Sequence, residues 1–142
     1  MLLLIVSFLG CKKEKEFKSE DLKSNQLPNG LPNITGRFNA YGYQDHIAGF
    51  VPLEVIDVSY DETVNEIVAV KLLGDKAVTT GMVTFRGVYK KQYFEVMTTV
   101  WDFLRQIYIK VPHNIVVDDE NTFTMHSIEN GSTCKFIRRV EK

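Results

Sequence analysis

Cysteine is scarce: 142 residues contain two, Cys11 and Cys134. Two thiols cannot make the disulfide framework of a small secreted scaffold or a four-cysteine zinc site. An excess of charge is lacking too. The chain has 17 basic and 18 acidic residues, a formal net charge of -1, so it carries no field to gather a polyanion, which argues against nucleic-acid binding. His46, His113 and His126 stand far apart, without His-Glu-x-x-His or Cys-x-x-Cys spacing. Asp118-Asp119-Glu120-Asn121 lacks the residue order of a calcium loop and reads as a solvated turn. There is no Gly-x-Ser-x-Gly elbow, Walker loop or dinucleotide glycine fingerprint. The chain is therefore expected to be non-catalytic and to need no metal or cofactor. One catalytic alternative is a hydrolase with two carboxylates meeting inside a barrel, for which Glu54 and Glu95 are the candidates.

Long apolar runs are absent beyond the N-terminus. Leu2 to Leu9 is such a run, but a helix of that length rises only about 12 Å against a bilayer core of roughly 30 Å. It reads as the core of an export signal and not as a membrane span. Gly10 and Cys11 follow, then Lys12-Lys13-Glu14-Lys15-Glu16. This segment resembles the lipobox of bacterial lipoproteins. Gly10 and Cys11 fit it; Phe8 and Leu9 depart from its usual residues, and no Lys or Arg precedes the apolar core. The resemblance implies a lipid on Cys11, attachment to a membrane through it, and a place in the bacterial cell envelope, at the outer membrane. The charge cluster after Cys11 resembles the surface-export signals of Bacteroidota lipoproteins; a spacer without an address is the other reading. Residues 12–32 are mixed in charge, poor in apolar side chains and end in Pro28-Asn29-Gly30-Leu31-Pro32, which predicts a tether. A chain of about 20 residues has a typical reach near 25 Å. The organisation expected is thus a leader with the modified Cys over 1–11, a tether over 12–32 and one domain over 33–142.

What is abundant is the aromatic and β-branched content that suits a pleated surface: nine Phe and six Tyr, with aromatics at 11%. From Asn33 onward the dominant period is two, with turn residues at short intervals. Strands are predicted over 34–41, 49–60, 66–73, 76–86, 92–101 and 106–111, with a short one at 115–117, then 122–128 and 133–140. Gly74-Asp75 is expected to form a two-residue type II′ hairpin turn, and Asn130-Gly131 another tight turn. Gly81 inside a strand suggests a bulge or a close backbone approach, and Asp102 to Gln106 leaves room for a short helix. Some eight short strands with short links tend to close on themselves, because open edges invite aggregation. The fold class expected is all-β, an antiparallel, closed or nearly closed barrel of about eight strands, in preference to a sandwich.

The run Ile67-Val68-Ala69-Val70-Lys71-Leu72-Leu73-Gly74-Asp75, followed by Val78-Thr79-Thr80-Gly81-Met82-Val83-Thr84-Phe85, resembles the barrel domain of F-box proteins that bind D-type cyclins. Leu73 and Thr79-Thr80 depart from that pattern and no F-box is present, so the resemblance implies a barrel and not cyclin binding. The ends are similar to a small lipocalin: Gly36-Arg37-Phe38 to its opening strand, Phe136-Ile137-Arg138-Arg139-Val140 to its closing one. That likeness implies that Arg138 or Arg139 caps Phe38 by a cation–π contact. Lys71 is expected to snorkel outward or to pair with Asp75.

In the strand Tyr93 to Trp101, Phe94, Val96, Thr98 and Val100 share the face suited to a core. Tyr93, Glu95, Met97, Thr99 and Trp101 share the other, a mixture suited to a pocket or a partner surface. The functional reading is a binding module for a small apolar ligand or a peptide at the barrel mouth, lined by Tyr43, His46, Tyr93, Met97 and Trp101. The competing reading is an envelope-assembly module that docks a partner on the barrel exterior. Cys134, in an alternating strand, is read as a small buried hydrophobe.

Overall fold

The computed structural model describes residues 26–27, 30–44, 49–74 and 78–140, without the side chains of 43–44 and 50–52. The leader, Cys11, most of the tether, His46 and Asp75 lie outside the described residues. The chain divides into two compact units, Met1–Asn33 and Ile34–Lys142. In the first, Gln26 bridges Pro32, and the N–H of Leu27 donates to the Leu31 carbonyl at 2.7 Å.

The second unit is a closed antiparallel barrel of eight strands in chain order: β1 (Gly36–Gln44), β2 (Gly49–Asp61), β3 (Glu66–Gly74), β4 (Val83–Lys90), β5 (Tyr93–Asp102), β6 (Ile107–Asp119), β7 (Thr122–Ser127) and β8 (Thr133–Arg138). β8 returns to β1, with Phe38 opposite Arg138 and Gly42 opposite Cys134. Closure leaves no strand edge for another chain to pair with. Alternation sets what faces in. On β3, Ile67, Ala69 and Lys71 are buried while Val68 and Val70 between them are partly exposed. On β7, Phe123, Met125 and Ser127 point inward. Register shifts at Ala40/Tyr41, Val55/Ile56, Ala69/Val70 and Val117/Asp119 mark bulges, which bend and coil strands that would otherwise be too flat to close.

Several local expectations are corrected. The β3–β4 link is not a two-residue turn at Gly74-Asp75: β3 runs on to Gly74, which pairs with Glu54, and β4 begins only at Val83. Gly81 lies in this longer link with φ 90°, its N–H bonded to the Lys71 carbonyl at 2.8 Å. The β4–β5 turn is Lys91-Gln92, so residues 87–90 are strand. Residues 107–111 and 115–117 belong to one continuous strand, β6, because Pro112 opposite Met97 does not interrupt the pairing, while Gln106 stays in the turn before it. Asp102 to Gln106 forms the β5–β6 hairpin turn instead of a helix. Among the described residues no helix is long and apolar enough to cross a membrane.

One end of the barrel, where β1, β3, β5 and β7 begin, is filled with rings. Phe123 stacks on Phe136 at 4.6 Å and meets Phe38 edge-on at 4.8 Å. Phe85 closes on Phe136 at 5.9 Å, and Tyr89 lies 4.9 Å from Phe94. Ala40 and Ala69, also fully buried, are small where these rings are large, which lets neighbouring strands interdigitate. Arg138 lies over the Phe38 ring at 4.6 Å, and its guanidinium donates to the carbonyls of Thr35 and Glu120.

Candidate functional site

The opposite end of the interior is built differently. It is formed by the ends of β1, β3, β5 and β7 and the starts of β2, β4, β6 and β8, and its inward positions carry Gly42, Glu54, Lys71, Thr98, His113, Ser127 and Cys134. A cavity of about 300 Å³ formed by described residues lies here, lined by Gly42, Leu53, His113, Met125, Ser132, Thr133 and Cys134. A second hollow, of about 230 Å³, lies at the β1–β2–β3 wall, where Ala40, Glu54 and Gly74 meet the outward-facing Asn39, Tyr41, Val55 and Leu73. Leu53 borders both. A methyl group on Gly42 would stand 2.6 Å from its Cδ1, so the absence of a side chain at Gly42 is what makes room for Leu53.

The polar groups are fixed by the same strands. Lys71 continues the inward row of Ile67 and Ala69 and is 1% exposed; its Nζ lies 3.8 Å from Glu54 Oε2, on the neighbouring strand. Glu54 is less covered and reaches a cavity wall. His113 Nδ1 donates to the Val111 carbonyl at 3.1 Å, which leaves Nε2 as the acceptor of the neutral ring. Thr98 approaches the Met125 sulfur at 3.6 Å. Cys134 is a free thiol. Burial first, and then the negative charge of Glu54, push its pKa up to about 12, so it stays protonated and unreactive at neutral pH. A neutral thiol, a thioether and a leucine give the larger cavity an apolar wall with His113 as a hydrogen-bonding point, and Glu54 lines the smaller hollow on the other side of Leu53.

The residues expected to line a site are placed as follows. Tyr43 pairs with Phe50 through the backbone near the mouth; its side chain, like all of His46, is outside what is described. Tyr93, Met97 and Trp101 alternate with the buried Phe94 and Val96 and lie on the outer face of β5, with Met97 42% exposed. The structure does not bring them to the interior or to either cavity, because the apolar face of this strand, and not the mixed one, supplies the core. Glu95 is also outward and exposed, so Glu54 and Glu95 do not meet. Lys71 does not snorkel outward: it is buried with its Nζ beside Glu54, while Asp75, its expected partner, lies outside the described residues. Asp118 and Asp119 are engaged locally: Asp118 accepts from Thr124 at 2.7 Å and Asp119 from Thr122 at 2.7 Å. The Thr122 hydroxyl, followed by the Asn121 N–H, holds Asp119 below the usual carboxylate range. Among the described residues no three His, Cys, Asp or Glu side chains are grouped to hold a metal.

Comparison with protein-family models, with curated proteins and with solved structures finds no match to this chain. The site rests on its own geometry. Leu53, Lys71, Met125 and Cys134 were readable in sequence only as strand residues, and Gly42 and His113 fell in the links between the predicted strands. The one local signal was Lys71, a cation standing in the same alternating row as Ile67 and Ala69.

Proposed function

We propose that the chain is a non-catalytic binding module, anchored to a bacterial envelope membrane through lipid on Cys11, whose barrel mouth takes a small, mainly apolar ligand with one hydrogen-bond-donating group. The observation that carries the reading is the uneven filling of the interior. Phenylalanine rings occupy one end, while the other holds a cavity of about 300 Å³ and, at the adjoining hollow, Glu54 paired with the buried Lys71. A buried ion pair is weak support for stability, since desolvation offsets most of its attraction. Its presence beside open volume fits recognition better than scaffolding. Pockets for small molecules run from roughly 300 to 1,000 Å³, so a cavity of about 300 Å³ suits a small ligand better than a peptide. Leu53 and Met125 would face its apolar body, and Glu54, which lines the smaller hollow adjoining it at Leu53, would accept from its polar group.

The test is a titration of the full chain with small amphiphiles, medium-chain alcohols and amines among them, followed by thermal shift. Saturable stabilisation that Glu54→Gln weakens about tenfold, the usual worth of a charge-assisted hydrogen bond, supports the reading. Lack of stabilisation by any of them removes it. Anchoring is tested separately. Cys11→Ala should leave the membrane fraction or stay unprocessed, and wild type should take up labelled fatty acid. A membrane-bound Cys11→Ala protein with unlabelled wild type would contradict the anchor.

A further inference from the structure

The loop joining β5 to β6 is short and firmly held. Asp102 Oδ1 accepts the N–H groups of Leu104 at 2.9 Å and Arg105 at 3.1 Å, and Oδ2 lies 3.6 Å from Arg105 Nε. The Asp102 carbonyl accepts from the Gln106 N–H at 2.8 Å, and Gln106 turns the chain back with φ 58°. This frame holds two large apolar side chains out into solvent: Phe103 is 73% and Leu104 97% exposed. Ile107 and Tyr108 continue the apolar surface onto β6. Other exposed apolar residues, such as Val64, Ile128 and Val140, lie on other turns or at the chain end and are ordinary for a protein surface.

Behind the tip, on the outer face, Trp101 and Tyr108 meet edge-on with ring centroids 4.8 Å apart. Arg105 is exposed at the tip, and Lys110 stands beyond the aromatic pair, donating to Thr99. The one acidic group of the turn, Asp102, is directed at its own loop. The hairpin therefore presents an apolar wedge, then a Trp–Tyr pair, with cations beside both. That is the order of chemistry met on entering an anionic bilayer leaflet, where Trp and Tyr settle at the headgroup level and basic side chains reach the phosphates. The charge balance favours lipid over a cationic or neutral protein cleft.

We propose that the tip of the β5–β6 hairpin inserts Phe103 and Leu104 into the interfacial layer of a phospholipid membrane containing anionic lipid, with Arg105 and Lys110 on its phosphates. This goes beyond the ligand site and does not depend on it; the mouth is assayed without vesicles, so either reading fails alone.

The chain has one tryptophan, so the emission of Trp101 reports on this hairpin and nothing else. The full-length protein is mixed with vesicles of phosphatidylcholine and phosphatidylglycerol carrying bromine at shallow acyl positions. Trp101 emission should shift to the blue and be quenched, less so on phosphatidylcholine alone. The double variant Phe103→Ser, Leu104→Ser, with unchanged circular dichroism, should lose the quenching and need about tenfold more lipid for what remains. Unquenched Trp101 on vesicle-bound protein would overturn the proposal by assigning attachment to the N-terminus alone. Equal quenching of the double variant would overturn it as well. A dimer seen by sedimentation without vesicles and lost in the double variant, with no quenching on vesicles, would assign the tip to a second copy and overturn it.

Discussion

Cys134 stands between an apolar wall and an acid, and both disfavour its thiolate. Its ordinary value of 9.0 rises to about 12, through burial first and Glu54 second. The consequence for stability has a definite sign. Below about pH 9 the folded and unfolded chains both hold the proton, and this group adds no pH dependence. Between about pH 9 and 12 the unfolded chain releases the proton and the folded one keeps it, so stability falls as pH rises. Urea unfolding of wild type and Cys134→Ala across this range should show wild type losing about 1.4 kcal/mol per pH unit relative to the variant. A difference that stays flat would contradict the assigned burial. The alternation of β8 was enough to read Cys134 as a small hydrophobe, and alternation alone also placed Lys71 with Ile67 and Ala69. What period two cannot supply is the partner. Glu54 stands beside ladder shifts on both sides, at Val55/Ile56 toward Lys71 and at Ala40/Tyr41 toward the strand that pairs with Cys134, and bulges leave little trace in a single sequence.

Strands were legible where their inward row was apolar, and their ends were legible where a turn needed a special residue. Asn130-Gly131 lies in the link between β7 and β8, with Gly131 at φ 72°, although that link spans residues 128–132 and is longer than a two-residue turn. Gly74-Asp75 failed as a turn because a glycine serves a close approach as readily as a reversal: a Cβ at Gly74 would meet Glu54 Cβ at 2.6 Å. Gly87 makes the same point in the middle of β4. A Cβ there would lie 1.9 Å from the Glu95 carbonyl oxygen and 2.6 Å from Val96 Cα, and both are backbone atoms that cannot swing aside. Gly87→Ala is expected to force β4 from β5 and to lower stability by about 2–3 kcal/mol, as overpacking does. A urea midpoint within error of wild type would show that the strands part more easily than their pairing implies. On β5 the core face was legible, since Phe94 and Val96 are buried as the alternation requires; Tyr93, Met97 and Trp101 stand on the outer face, where they suit a partner surface and not the interior of the barrel.

At the scale of the molecule, closure is what the sequence expressed most clearly: many short alternating segments with short links, which eight strands of this length resolve by pairing the last strand with the first. Which end is filled and which is hollow was not readable, since it depends on how the tilted strands bring distant side chains to one level. The closed end joins Phe38, Phe123, Phe136 and the Arg138 guanidinium; the other gathers Leu53, Glu54, Lys71, His113 and Cys134. The central claim is that this second end receives a ligand, and amide chemical shifts measured through the amphiphile titration test it most directly. The account predicts saturable shifts at Gly42, Leu53, His113, Met125 and Cys134, with Phe38, Phe123 and Phe136 unmoved. Shifts confined to the ring-filled end or to the outer face of β5, or no shifts at any concentration, would contradict it.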